Sequence, residues 1–123
     1  MKPSGEKTDF IESFGHALDG VKAASKGRNF RVQAAVGVLA VVLGIIFRIS
    51  ATEWIVVLFC IGAVLSLETV NTSIEDMVDL SVKTFHPQAK SAKDLAAGAV
   101  LVMSGASLLI GIIIFVPRIL GLL

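Results

Sequence analysis

Tyrosine is absent from the 123 residues, cysteine and tryptophan occur once each, histidine twice and proline three times. The single Cys60 excludes a disulfide scaffold, because it has no partner within the chain. Two histidines and one cysteine also form no metal-ligand spacing of the zinc kind. Charge is scarce: 17% of residues are Asp, Glu, Lys or Arg, against about 25% in a soluble domain. A net charge of +1, with the basic residues scattered among acidic ones, excludes nucleic acid as a partner. What fills the chain is apolar. With 54% hydrophobic residues and a mean hydropathy of +0.82, it reads as a single-domain membrane protein with little soluble mass.

Three stretches carry no charge, 32–47, 54–67 and 95–117. A helix rising 1.5 Å per residue needs roughly 20 residues to cross about 30 Å of hydrocarbon. The third stretch meets that length unaided. The first is closed by Arg48, whose long side chain can reach the interface, so 32–50 spans. The second, bounded by Glu53 and Glu68, is 14 residues long and covers only about 21 Å. A spanning helix over 54–73 therefore carries Glu68 into the membrane or its boundary.

Lys and Arg fall on one side of these spans. Lys2, Lys7, Lys22, Lys26, Arg28 and Arg31 precede the first, and Lys83, Lys90 and Lys93 follow the second. The positive-inside rule makes the N-terminus and the connection over 69–94 cytoplasmic and the C-terminus external. The N-terminal region is too polar for a signal peptide. Over 8–26, Phe10, Phe14, Leu18 and Val21 recur at helical spacing, which predicts an amphipathic helix on the membrane surface. Ala40 with Gly44 and Ser107 with Gly111 are small pairs at spacing four, suited to close helix approach. Three short helices enclose little interior surface, so a homo-oligomer is expected.

Chemistry concentrates where the second span leaves the hydrocarbon. In ETVNTSIEDMVDL, Glu68, Asn71, Glu75 and Asp79 follow one another at intervals of three, four and four, on one helix face. Like charges at that spacing repel, which calls for an outside partner such as a divalent cation. The opposing face, with Val70, Ile74, Met77 and Val78, is apolar and suited to packing. An ionisable residue at membrane depth is by default a functional candidate, and Glu68 suits a general base acting on an alcohol. Lys93 and Asp94 stand where the third span begins. Lysine there offers a point charge for phosphate, and Asp94 could orient it or hydrogen-bond a ribose or a metal-bound water. The plainer alternative has Lys93 reaching the interface and Asp94 capping the helix. Cys60, deep in the second span, reads as a packing residue.

These pieces resemble the prokaryotic diacylglycerol kinase family of small membrane lipid kinases, most of all its Gram-positive undecaprenol kinase branch. The matching elements are NFR at 29–31, the pair Glu53 and Trp54, LETVNTSIEDMVDL at 67–80, and HPQAKSAKDLAAGAV at 86–100. The resemblance implies an all-α homotrimer whose subunits carry a surface helix and three spans. It further implies ATP as phosphoryl donor, Mg²⁺ as metal, and a lipid alcohol as acceptor, undecaprenol or alternatively diacylglycerol. On it, Glu68 is the catalytic base and Glu75 holds the metal. Asn71, Glu75, Asp79, His86, Lys93 and Asp94 contact nucleotide, and Asn29 and Arg31 join Glu68 at the lipid. One position departs from the pattern: Gly27 stands where the family usually has a second metal-binding Glu. From a different class, a small non-catalytic membrane protein that binds a partner or divalent ions would share the same composition.

Overall fold

The computed structural model describes residues 9–123, and the first eight residues lie outside the described part, including the start of the surface helix expected from residue 8. Among the described residues every regular element is helical: α1 Phe10–Ala24, α2 Arg28–Ile46, α3 Ala51–Ser81 and α4 Pro87–Leu120. Three of them, α2, α3 and α4, are long and apolar enough to cross a membrane.

Their ends follow local chemistry. Asp9 caps α1 by accepting from the Ile11 amide at 3.4 Å. Ser50 and Glu53 form a capping box at the start of α3, each side chain accepting from the other's backbone N–H. His86 caps α4, its Nδ1 accepting from Gln88 N, and Pro87 takes the first helical position, where a missing N–H costs nothing. The first span ends earlier than expected. α2 stops at Ile46, and Arg48 takes a positive φ of 50°, so the chain reverses before residue 50 and buries Ile49.

At 31 and 34 residues, α3 and α4 measure about 46 and 51 Å, more than a bilayer core needs. Both therefore project beyond the hydrocarbon. They pack along each other, pinned at one end by Asp79 and Lys93 and at the other by Glu53 and Arg118. α2 packs on α3 and α1 lies against the Ser81 end of the bundle through contacts with α3, while α2 and α4 pack principally on α3. The tight approach of α2 runs through Gly37, over Ile61, and Gly44, over the indole of Trp54. At Gly111, by contrast, an added Cβ would meet nothing within the chain, so the Ser107 and Gly111 pair makes no close helix contact inside one subunit.

The buried core sits at the Glu53 end, where Ile49, Val57, Ile114 and Phe115 cluster with Leu43, Phe47 and Trp54 against them. Elsewhere the helices present a broad apolar exterior that includes Val38, Phe59, Leu101 and Ile113. On α1, Phe10 and Phe14 remain 82% and 59% exposed, so the apolar face read from the sequence has no cover within the chain.

Candidate active site

The α3 stripe forms as its spacing requires, but it faces the opposite way from the expected packing. Glu68 and Asn71 are buried at 6% and 5% exposure, whereas Val70 and Met77, assigned to the packing face, are 54% and 65% exposed. The inward turn holds for Glu68 and Asn71 only: Glu75 is half-buried and Asp79 exposed, while Ile74 and Val78 of the expected packing face are half-buried. Thr69 and Thr72 send their hydroxyls back to the carbonyls of Leu65 and Glu68, leaving the stripe its own polar groups.

Repulsion along the stripe is offset by neighbours. Asn71 Nδ2 donates to Glu75 Oε1 at 3.2 Å, while Asn71 Oδ1 is enclosed with no hydrogen-bond partner. Lys93 Nζ donates to Asp79 Oδ1 at 2.8 Å across the α3–α4 junction. Lys93 lies before the uncharged stretch of α4. Its hydrogen bond with the Asp79 carboxylate raises its pKa above the ordinary lysine value, with the charge of Glu75 adding to this and partial desolvation opposing it. Part of the compensation assigned to a cation is therefore supplied by a lysine.

Lys93 and Asp94 do not act on one another. Consecutive helical residues point about 100° apart, so Lys93 turns to Asp79 and Asp94 accepts from Lys90 one turn earlier. Asp94, Lys90 and Ser91 border a shallow depression with Gly98 and Leu95. The structure thus brings Glu68, Asn71, Glu75, Asp79 and Lys93 to one end of the α3–α4 pair and aims Asp94 along another face. His86 uses Nδ1 to cap α4. Arg31 Nε donates to the Ser25 carbonyl at 2.9 Å and so closes the α1–α2 corner, with Asn29 exposed two residues before it. Gly27 is the N-cap of α2 and supplies no side-chain cap.

Two features escaped the sequence reading. Arg118 reaches back 65 residues to Glu53 with two hydrogen bonds of 2.8 Å, and Nη1 also donates to the Ile114 carbonyl. Glu53 lies outside the uncharged stretch of α3, and its pKa is lowered to about 2, chiefly by the Arg118 hydrogen bonds. The opposite signs of these two residues flanking α3 and α4 were the available signal. The second feature is an open groove of about 330 Å³ between α2 and α4, floored by Val57, Cys60 and Val64 of α3.

The fold and site together define a small helical membrane protein with a buried carboxylate face at one mouth of its bundle. Residues 15–115 match the family model described as prokaryotic diacylglycerol kinase, and the chain belongs to that family. It is 42% identical over 114 residues to the undecaprenol kinase of Bacillus subtilis (strain 168), covering 92% of this chain and 93% of that one. It is 35% identical over 117 residues to a diacylglycerol kinase of Synechocystis, covering 94% of this chain and 67% of that protein. With the diacylglycerol kinase of Escherichia coli (strain K12) it shares 28% identity over 96 residues, covering 77% and 79%.

Proposed function

We propose that the protein is a lipid kinase that moves the γ-phosphoryl group of Mg-ATP to the hydroxyl of undecaprenol at the cytoplasmic face of the bacterial cell membrane. The observation that carries this reading is Glu68, a carboxylate buried to 6% exposure one turn from Asn71 and two turns from Glu75, in a chain of this family. The similarity to an undecaprenol kinase favours that acceptor. Diacylglycerol is the second reading, favoured by the relatives from Synechocystis and Escherichia coli.

Glu68 takes the proton from the lipid hydroxyl, whose oxygen then forms the new bond to the γ-phosphorus as the bond to the β-bridging oxygen breaks and ADP leaves. Lys93 sets a positive charge beside the transferred group, with Asp79 holding its ammonium in position. Among the described residues no three of His, Cys, Asp and Glu converge on a point. What is present is an open donor set: Glu75 and its partner Asn71, whose Oδ1 is buried and unpartnered. That set fits Mg²⁺, which ordinarily takes one or two carboxylates and fills its remaining positions with substrate phosphates and water. Held by Glu75 and Asn71, the ion would supply positive charge to offset that of the phosphates.

The same reading puts the Glu68 mouth, the connection 82–86 and α1 on the cytoplasmic side, with α1 lying in the interface and the C-terminus outside. It also includes a homotrimer, since one chain leaves its helices largely exposed and its donor set open. The test is transfer from labelled ATP to undecaprenol and to diacylglycerol by purified protein in mixed micelles. Wild type transfers label, and Glu68→Gln lowers the rate by about 100-fold or more. No transfer by wild type to either lipid refutes the reading.

A further inference from the structure

The corner between α1 and α2 concentrates positive charge. Lys22, Lys26, Arg28 and Arg31 fall within ten residues, and no Asp or Glu occurs between Asp19 and Glu53. All four are exposed, and none has an ion pair among the described residues. The backbone that carries them is tied in place. Ser25 Oγ donates to the Lys22 carbonyl at 2.6 Å, and Arg31 Nε donates to the Ser25 carbonyl at 2.9 Å. Lys22 stands in the last turn of α1, where the helix dipole favours a cation. Arg28 has the opposite setting. It is the first residue of α2, whose first turn holds no acidic residue, and positive charge is disfavoured at that end of a helix. Cations clustered at such a place without a counterion point to an anion from outside the chain.

The two sides of α1 say what kind of anion it is. At about 100° per residue, Phe10, Phe14, Leu18 and Val21 share one side, and Lys22 stands on its edge, about 40° from Leu18. Glu12, His16 and Asp19 lie about 140° or more from the centre of that side. The helix therefore keeps a cation with its uncovered apolar side and turns its carboxylates the other way. Arg31 is the last charged residue before the uncharged stretch 32–47, which sets the corner at the height where α2 enters the hydrocarbon. The anions a bilayer offers at that height are the phosphodiesters of its acidic lipids.

We infer that this corner and the apolar side of α1 form a docking surface for anionic phospholipids of the surrounding bilayer. Their head groups pair with Lys22, Lys26 and Arg28, while Phe10, Phe14 and Leu18 enter the acyl region beneath. The inference rests on the reading that lays α1 in the interface and adds which lipids lie against it; it does not depend on transfer to either acceptor. A zwitterionic head group carries its own ammonium beside the phosphate and so gains little from the corner. A phosphatidylglycerol has no such internal partner, and each lysine or arginine within a Debye length, about 10 Å at 0.1 M salt, adds to its attraction.

The test uses the full chain in phosphatidylcholine vesicles that carry a trace of spin-labelled phosphatidylglycerol or spin-labelled phosphatidylcholine, and reads the fraction of each label immobilised by the protein. Wild type is expected to hold the phosphatidylglycerol label at least about twofold better at low salt, and to lose that preference near 1 M NaCl, where the Debye length is about 3 Å. Lys22→Gln/Lys26→Gln/Arg28→Gln should hold the two labels equally. Lys22→Arg/Lys26→Arg/Arg28→Lys, which keeps every charge, should retain the preference. A wild type that does not distinguish the labels, or a preference that survives the glutamine variant, overturns the inference. So does a glutamine variant with a raised KM for ATP and an intact lipid preference, which assigns the cations to nucleotide, or one of lower oligomeric mass, which assigns them to a subunit contact. The kinase reading stands or falls separately, on whether labelled phosphate reaches undecaprenol or diacylglycerol.

Discussion

The placement of the site depends on how α2 seats on α3, and Gly44 tests that seat directly. A Cβ built at Gly44 would come within 2.8 and 2.9 Å of two Trp54 ring carbons and 3.1 Å of Ile49 Cδ1. The indole is a rigid plate packed against the Ile49, Val57, Ile114 and Phe115 cluster, so it can move aside only by giving up that packing. Overpacking of this kind costs about 1–3 kcal/mol. Replacing a helical glycine with alanine returns up to about 0.5–1 kcal/mol of helix propensity, less in the last turn of α2, where Gly44 stands. Gly111→Ala provides the comparison, since its Cβ meets nothing and it collects the full gain of a helix interior. Propensity differs between the two variants by no more than about 0.5 kcal/mol, so their difference is dominated by the overpacking cost. Gly44→Ala should therefore be less stable than Gly111→Ala by about 1–3 kcal/mol, at least roughly a fivefold difference in unfolding equilibrium. Titration with sodium dodecyl sulfate, followed by far-UV circular dichroism and by the fluorescence of the sole tryptophan, Trp54, reads this difference. Equal midpoints for the two variants would refute the seating of α2 through Gly44.

The Glu53–Arg118 pair predicts an acid response. Its carboxyl has a pKa of about 2 in the fold against 4.5 as a free group, so the stability it contributes is present above about pH 4.5 and drains away as pH falls toward 2. Wild type should lose stability over that interval more steeply than Glu53→Gln, measured by detergent-micelle unfolding at each pH, and parallel curves would dismiss the pair as a stabilising contact. At the other end of the bundle, Gly27 has φ −72° and ψ 141°, an extended backbone that any residue adopts, and its Cβ would meet only the Ala24 carbonyl at 3.3 Å. Gly27→Glu should accordingly fold and add a carboxylate near the α2 start, lowering the Mg²⁺ concentration for half-maximal transfer severalfold. An unchanged or higher requirement would show that this position does not face the metal.

Much of the site was legible because its signal is local. The intervals between Glu68, Asn71, Glu75 and Asp79 fix a common helix face whatever surrounds them, and the shortness of 54–67 places Glu68 at depth. The role of Lys93 was less legible, since adjacency to Asp94 in sequence suggests a pair that helical geometry separates.

The sequence by itself determined a helical membrane protein with three apolar helices, an amphipathic leader and an acidic stripe at one span's exit. Hydropathy and the 3.6-residue period are properties of each segment alone, so they survive without knowledge of neighbours. Only the tertiary structure decided that Glu68 and Asn71 turn inward, that Asp79 is met by Lys93, that Arg118 locks onto Glu53, and that an apolar groove opens between α2 and α4. Those outcomes depend on interhelical register and rotation, set by shape at contacts such as Gly44 on Trp54 and by charges 14 and 65 residues apart. Both are relations between segments rather than patterns within one.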